Sequence, residues 1–206
     1  MFTELYNTLY MQLSQYIPSF LLNPIFNSFK TMTMHLVFIN LVCFILTLGG
    51  HILTDQLGCS FQKALKEMQI HRFLTSMFVH DGFSHLLCNM SSLIVNGMIV
   101  ERNFGSTAML VFYMGSGLIG GVLACIIHKL MDDNCISVGA SGAICGLMGV
   151  TVMNTLLGFG LSGNILYVAI AVIPIIIIGF SKGADNICHF TSFFTGALMC
   201  MFLVWR

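Results

Sequence analysis

Polar residues inside apolar stretches of the chain have side chains suited to acyl transfer. Ser141 lies in the tetrad Gly139-Ala140-Ser141-Gly142, and His189 lies near the start of the charge-free stretch 186–205. A serine hydroxyl is a weak nucleophile until an adjacent base accepts its proton, which neutral imidazole does near pH 7. We therefore predict that Ser141 is a nucleophile and that His189 is its general base.

Hydrogen-bond donors for an oxyanion are also present. His85 and Asn89 are four residues apart, so they share one face of a helix. A helix that starts at Ser141 adds unpaired backbone N–H groups, and Gly142 allows a substrate backbone to approach closely. One such donor typically contributes about 2.7–4 kcal/mol to transition-state stability. We predict that His85, Asn89 and Gly142 stabilise the oxyanion.

A third, acidic member of the catalytic group is not evident, so the sequence favours a dyad. Asp185 stands four residues before His189, where its type is typical of the N-cap of the last helix. Structural roles remain open for the other residues at this point. Ser141 also suits a helix N-cap, and His189 a position near the lipid headgroups. His85 and Asn89 also suit a hydrogen bond between helices, worth about 0.6 kcal/mol per contact.

The composition indicates which elements position these residues. The 206 residues include only eight basic and eight acidic ones, 57% are hydrophobic, and the mean hydropathy is +0.91. So apolar a surface would associate in water, which excludes a soluble enzyme, a disordered protein and a small secreted module. The composition predicts a multi-pass integral membrane protein in a lipid bilayer. A net charge of zero and scattered Lys and Arg exclude a nucleic-acid partner, and the eight cysteines form no CxxC metal motif.

Charge-free runs predict the number of spans, because a helix needs about 20 apolar residues to cross a bilayer. The run 134–181 is long enough for two helices, with a glycine-rich turn at 158–164 between them. The sequence therefore predicts an all-α bundle of six transmembrane helices, at 33–50, 83–100, 106–128, 141–157, 164–180 and 187–205.

The domain organisation is simple. Residues 1–30 contain two prolines and several polar residues, which favours a segment at the membrane interface, and residues 31–206 form the six-helix membrane domain. Six helices place both termini on one side, but the basic residues do not predict which side. Cys59 and Cys135 then face one aqueous side together. Two free thiols are the preferred interpretation, with a disulfide as the alternative.

The motifs, in this order and on these helices, resemble the rhomboid family of intramembrane serine proteases. The similarity extends from about residue 71 to residue 196. The matching features are His71-Arg72 (similar to a Trp-Arg motif), His80, His85-x3-Asn89, Glu101 with Gly105-Ser106, the tetrad around Ser141, and His189.

The resemblance implies a rhomboid-like fold and activity. A Ser141–His189 dyad would lie below the membrane surface, in a polar cavity that water enters from one side. His85, Asn89 and the backbone N–H of Ser141 would hold the oxyanion. The substrates would be single-span transmembrane proteins, cleaved in or near the membrane segment, and no metal or cofactor would be needed.

The chain departs from the family pattern at four positions. His71 replaces the usual Trp, and Asn103 stands where a second Arg is common. Ser192 replaces a Gly three residues after the histidine, so we expect a looser contact between the fourth and sixth helices. Cys145 replaces an aromatic residue, and we expect it either to line the catalytic cavity or to fill a helix contact beside Gly146.

Two other classes of function are compatible with parts of the pattern. A rhomboid-like pseudoprotease would bind membrane clients without cleaving them, but such relatives usually lack the serine or the histidine. A small transporter or channel would share the six spans and the buried polar groups. It predicts internal repeats with broken helices, and no convincing repeat is present in the sequence.

Overall fold

Long apolar helices make up most of the described chain. The computed structural model describes residues 2–16, 30–47, 55–158 and 184–204. The long helices in these ranges are α1 (Phe2–Leu13), α2 (Met32–Leu46), α3 (Phe83–Phe104), α4 (Ser106–Leu130), α5 (Ser141–Leu156) and α6 (Asn186–Val204). Three short helical turns, Gln62–Lys66, Arg72–Thr75 and Ser76–Phe78, lie between α2 and α3. The described part contains no β-strand, only a single β-bridge between Cys59 and Ser137.

Five of the six predicted spans correspond to α2–α6 and agree with them within a few residues at most ends. The predicted helix at 164–180 lies outside the described residues. Of the described helices, α3, α4 and α6 are long and apolar enough to cross a membrane, whereas α2 and α5 are shorter apolar helices. Helix α1 falls within the segment 1–30, whose interfacial location stays a prediction.

Glu101 joins three helices at the end of the bundle where α3 ends and α2 and α4 begin. Its carboxylate accepts hydrogen bonds from the backbone N–H groups of Met32 (2.7 Å) and Thr33 (2.9 Å) at the start of α2. It also accepts one from the Ser106 hydroxyl at 2.5 Å, at the start of α4. A carboxylate is favourable at a helix N-terminus because unpaired N–H groups and the positive end of the helix dipole lie there. Gly105, with φ at +83°, makes the turn between α3 and α4.

Helix α5 is the centre of the bundle, because small residues allow its neighbours to approach its backbone. A Cβ on Gly149 would lie 2.9 Å from the backbone nitrogen of Ala197, and one on Gly196 would lie 2.7 Å from the backbone carbon of Gly146. Ser192, expected to loosen this contact, is fully buried. The side chain of Ser192 faces Gly120 of α4, where a Cβ would overlap it. The larger residue on α6 is therefore matched by a glycine on α4.

The segment before α3 folds back over the start of α5. Arg72 is buried, and its guanidinium donates to the carbonyls of Gly58 (2.8 Å) and Asp55 (3.2 Å). Cys59, which follows Gly58, forms an antiparallel β-bridge with Ser137. The loop that carries Cys59 therefore lies beside the loop that carries Cys135. The Cys59 thiol itself, however, contacts a thiol of helix α4.

The thiol of Cys59 lies 3.7 Å from that of Cys125 in α4. All eight cysteines are free, in agreement with the preferred interpretation of unpaired thiols, and the alternative pairing of Cys59 with Cys135 is wrong. The hydrogen bond with Cys125, together with burial, raises the pKa of the Cys59 thiol well above its ordinary value. The Cys59 thiol is therefore protonated near pH 7.

Candidate active site

The starts of α3, α5 and α6 and the end of α4 meet at one end of the bundle. His85, in the first turn of α3, lies against Gly139 just before α5. Asp185, just before α6, lies 2.9 Å from the imidazole of His128 near the end of α4. Asn89 is six residues along α3 from Phe83, so it lies about 9 Å from this end at 1.5 Å per residue. The candidate residues therefore lie within two helical turns of the bundle end.

Ser141 and His189 are in hydrogen-bond contact across two helices. The distance from Ser141 Oγ to His189 Nε2 is 2.8 Å, and both residues are buried. When the ring proton is on Nδ1, the hydroxyl donates to Nε2, which is the arrangement that a nucleophile and its base require. Ser141 is the first residue of α5, and Ala140 precedes it without a side-chain cap. The interpretation of Ser141 as an N-cap is therefore wrong.

The other ring nitrogen of the histidine has no carboxylate partner. Among the described residues, the buried Nδ1 of His189 makes no hydrogen bond. The carboxylate of Asp185 instead accepts from the backbone N–H of Cys188 at 2.9 Å and contacts His128 and Ser137. The prediction that Asp185 caps the last helix is confirmed. Within the part of the chain that the structure describes, the geometry contains a serine and a histidine but no acid that orients the imidazole.

His85 and Asn89 lie beside the backbone that leads into Ser141. A Cβ on Gly139 would lie 2.8 Å from Nε2 of His85 and 3.3 Å from Nδ2 of Asn89. Gly139 also has φ at +104°, a conformation that residues with a Cβ rarely adopt. Glycine is therefore required at position 139 both by the backbone and by the two side chains.

Asn89 and Gly142 have local partners of their own. Asn89 is fully buried and donates from Nδ2 to the carbonyl of His85 at 3.1 Å. A Cβ on Gly142 would lie 3.0 Å from the sulfur of Cys188 and 3.3 Å from Oγ of Ser192. Gly142 thus permits the close packing of α5 on α6, in addition to the backbone access that the sequence suggested.

His80 supports the segment that precedes the serine. It is buried, and its Nε2 accepts a long hydrogen bond (3.5 Å) from the backbone N–H of Ala140. Burial and the neighbouring His85 lower the pKa of His80 to about 4. The ring is therefore neutral near pH 7, which leaves Nε2 free to act as an acceptor.

A cavity of about 500 Å³ contains the serine and the histidine. Its wall includes Ser137, Gly142 and Asp185 as well as apolar side chains, and its rim includes the exposed residues Asp81 and Ser84. Polar groups and an exposed rim allow water to reach the hydroxyl, and hydrolysis inside a membrane requires that access.

Cys145 is not part of this cavity. It is 2% exposed and packs in the main apolar core of the described bundle. The expectation that Cys145 lines the cavity is wrong, and the alternative, a helix contact beside Gly146, agrees with its burial. The expectation rested on the position of Cys145 one turn deeper than Ser141 on the same helix face. The cavity, however, ends near the first turn of α5.

Sequence reasoning missed the polar network around His128. This imidazole lies 2.9 Å from carboxylate oxygens of both Asp133 and Asp185, and Asp185 also accepts from Ser137. The available signal was a histidine inside an apolar stretch, since such a residue requires polar partners.

Comparison with known proteins connects this geometry to a family. The model of the Rhomboid domain matches residues 67–206. RHOMBOID-like protein 5 of Arabidopsis thaliana is 31% identical over 155 residues, 73% of this chain and 50% of the relative. RHOMBOID-like protein 2 of the same plant is 35% identical over 150 residues, 71% of this chain and 46% of the relative.

The name of one further relative states that it is inactive. The Arabidopsis thaliana protein named Inactive RHOMBOID-like protein 8 is 30% identical over 154 residues, 72% of this chain and 42% of the relative. The chain spans about half the length of the curated relatives it matches.

Rhomboid proteins are membrane proteins and are generally serine proteases that act within the membrane. The match to the Rhomboid domain covers well over half of the sequence, and the chain therefore belongs to the rhomboid family.

Proposed function

We propose that this protein is an intramembrane serine endopeptidase with Ser141 as nucleophile and His189 as general base. The observation that carries the proposal is the 2.8 Å contact between Ser141 Oγ and His189 Nε2, inside a cavity at the end of a helical bundle. A nucleophile within hydrogen-bond reach of its base is the arrangement that acyl transfer needs. Membership in the rhomboid family supports the same reaction.

The reaction takes place in two halves. Ser141 Oγ attacks the scissile carbonyl carbon, while its proton passes to Nε2 of His189. The tetrahedral intermediate collapses, the C–N bond breaks, and His189 returns the proton to the leaving amine. Water then attacks the acyl-enzyme with His189 again as the base, which releases the carboxylate product and restores the serine.

Donors around Gly139 would hold the oxyanion. His85 Nε2 and Asn89 Nδ2 lie 2.8 Å and 3.3 Å from the place where a Cβ on Gly139 would be, two residues before the nucleophile. The first N–H groups of α5 have no carbonyl one turn earlier to bind, so they are available to an oxygen anion. Such donors are effective because they are already oriented before charge develops.

Single-span transmembrane proteins are the substrate class that suits this site. The cavity lies within two turns of the bundle end, where the end of a membrane helix can leave the hydrocarbon and unwind. Unwinding is necessary because the carbonyls of an intact helix are already hydrogen-bonded and poorly exposed. A partner that enters from the bilayer rather than from water is compatible with the apolar outer surface, which includes Phe190 and Phe194 of α6.

The proposal is tested by cleavage of a generic single-span substrate in detergent micelles and in liposomes. Ser141→Ala and His189→Ala should each abolish cleavage, and the double variant should be no worse, because members of one catalytic unit are not additive. Ser116→Ala is a matched control, since Ser116 is also fully buried in the bundle but donates to the carbonyl of Phe112 in its own helix. Turnover that survives in Ser141→Ala would refute the proposal.

The same experiment distinguishes a non-cleaving relative. The similarity to a protein named as inactive makes client binding without cleavage the second candidate. In that case the wild type would capture single-span clients from micelles and release no fragment, and Ser141→Ala would bind them with unchanged affinity.

A further inference from the structure

A second cluster of polar side chains lies beside the dyad, where the end of α4 meets the start of α6. His128 is buried, and its Nδ1 and Nε2 atoms each lie 2.9 Å from a carboxylate oxygen, of Asp133 and Asp185 respectively. Cys135, in the segment between α4 and α5, completes the cluster. One ligand atom each from His128, Cys135 and Asp185 can be chosen so that all three lie within 4.8 Å of one another.

We propose that His128, Cys135 and Asp185 bind a divalent transition-metal ion, with Zn²⁺ as the ion that best suits this donor set. Imidazole nitrogen, thiolate sulfur and carboxylate oxygen are the three kinds of ligand that zinc takes in proteins. Hard cations such as Mg²⁺ and Ca²⁺ prefer oxygen alone. A water molecule would complete a tetrahedron, because three protein ligands leave one position open.

The surroundings of His128 resemble those of a ligand already held in place. Histidines that bind metal usually donate their second ring N–H to a carboxylate, which fixes the orientation of the ring. Asp133 occupies that position on Nδ1, at 2.9 Å. Its side chain is 52% exposed, whereas those of His128 and Asp185 are 6% and 8% exposed. Asp133 is therefore suited to an outer role, and the buried pair is suited to direct contact with the ion.

Small displacements are enough to bring the donors around one ion. Ligand atoms at 2.0–2.3 Å from a tetrahedral ion lie about 3.3–3.8 Å from one another. His128 Nε2 and Asp185 Oδ1, now 2.9 Å apart, would separate by a few tenths of an ångström. Cys135 lies outside the regular helices, so its sulfur can approach. The ion would replace two protons, that of the Cys135 thiol and that shared by His128 Nε2 and Asp185 Oδ1, and both would pass to solvent.

An ion at this position would connect three segments of the bundle. His128 lies near the end of α4, Cys135 lies in the following segment, and Asp185 caps α6 four residues before His189. The ion would not take part in the acyl-transfer steps. Its role is to hold the start of the helix that carries the proposed base, and its binding does not depend on the proposed protease activity.

Direct binding tests the site without any measurement of cleavage. The wild-type protein in detergent, stripped of metal with a chelator, is titrated with Zn²⁺ by calorimetry and with Co²⁺ by absorption spectroscopy. We expect one ion per chain, a sulfur-to-cobalt charge-transfer band, and a melting temperature that rises with ion concentration. Asp133→Asn should weaken binding about 10–100-fold, and Cys135→Ser and His128→Ala should weaken it further and remove the temperature shift.

Cys59→Ser is the matched control for the loss of a thiol. Cys59 contacts the thiol of Cys125 at 3.7 Å and is not a proposed ligand, so the Cys59→Ser variant should still bind the ion with wild-type affinity. Loss of binding in Cys59→Ser with retention in Cys135→Ser would overturn the proposal and assign the ion to that pair. Equal affinity in wild type, Cys135→Ser and His128→Ala would overturn it as well, as would the absence of saturable binding in the wild type. Cys135→Ser keeps the contacts of His128 with Asp133 and Asp185, so the test stays decisive if His128→Ala does not fold.

Discussion

The Gly139→Ala substitution tests the position of the proposed oxyanion donor His85, and its effect on kcat can be measured separately from its effect on fold stability. The new Cβ would lie 2.8 Å from Nε2 and Cε1 of His85. Ordinary carbon contacts are about 3.5–4.0 Å, so the imidazole must retreat by about 0.7 Å or more. Productive catalytic geometry tolerates displacements of about 0.5 Å. The proposed oxyanion donor would therefore leave its position, while Ser141 and His189 remain in contact.

The expected magnitude follows from the loss of one donor. Removal of a single oxyanion donor lowers kcat by about 10²–10³, and we expect this loss in Gly139→Ala with little change in KM. The alanine must also adopt φ near +104°, which costs about 1–3 kcal/mol of stability.

The control isolates that backbone effect. Gly105 has φ at +83°, and a Cβ there meets nothing within 4 Å. Gly105→Ala should therefore lower the melting temperature to a similar extent and leave kcat unchanged.

The assay is the steady-state cleavage of a single-span substrate in liposomes, with melting temperatures measured in the same lipid. His85→Ala completes a double-mutant cycle with Gly139→Ala. If the alanine acts by displacing His85, the double variant should be no slower than His85→Ala alone. Unchanged kcat in Gly139→Ala, or fully additive losses in the double variant, would refute the assignment of His85 as an oxyanion donor.

Three further predictions concern Asp185, Glu101 and His80. Asp185→Asn, assayed in the presence of a chelator, should reduce kcat by less than about 10-fold, because the carboxylate does not contact His189; a loss near the ~10⁴-fold typical of a triad acid would contradict the dyad. Glu101→Gln should lower the free energy of unfolding by about 1–2 kcal/mol, since a charged acceptor at the start of α2 is lost, and leave kcat per folded molecule unchanged; denaturant titration and active-site counting measure both. Acidification should destabilise the bundle through His80, whose pKa of about 4 lies below the ordinary 6.5. The unfolded chain then binds the proton first, so the melting temperature should fall between about pH 6.5 and pH 4, and His80→Gln should fall less over that range.

The local pattern of the chain was sufficient to predict most of the described long helices and to select the residues of the candidate site. Long charge-free runs predict membrane helices because a charge in hydrocarbon is costly, and α3–α6 begin within one residue of the predicted positions. The pairing of a serine in a glycine-flanked tetrad with a histidine that opens a helix was also evident. Both features depend on residue type and on spacing along one helix, and the sequence contains both directly. The family resemblance that these motifs predicted is confirmed by the match to the Rhomboid domain.

Contacts between distant segments were decided by the tertiary structure alone. The burial of Cys145 and the fit of Ser192 against Gly120 depend on which helix faces which, and a single sequence contains no information on that pairing. Asp185 was predicted as a cap from its neighbours in the chain, but its contact with His128 crosses 57 positions. The ligands of the proposed metal site come from three separate segments, so no short spacing motif could reveal them. The 2.8 Å between Ser141 and His189 likewise exists because glycines let α5 and α6 pack backbone to backbone, and this close packing brings two separate polar residues into one hydrogen-bonded pair.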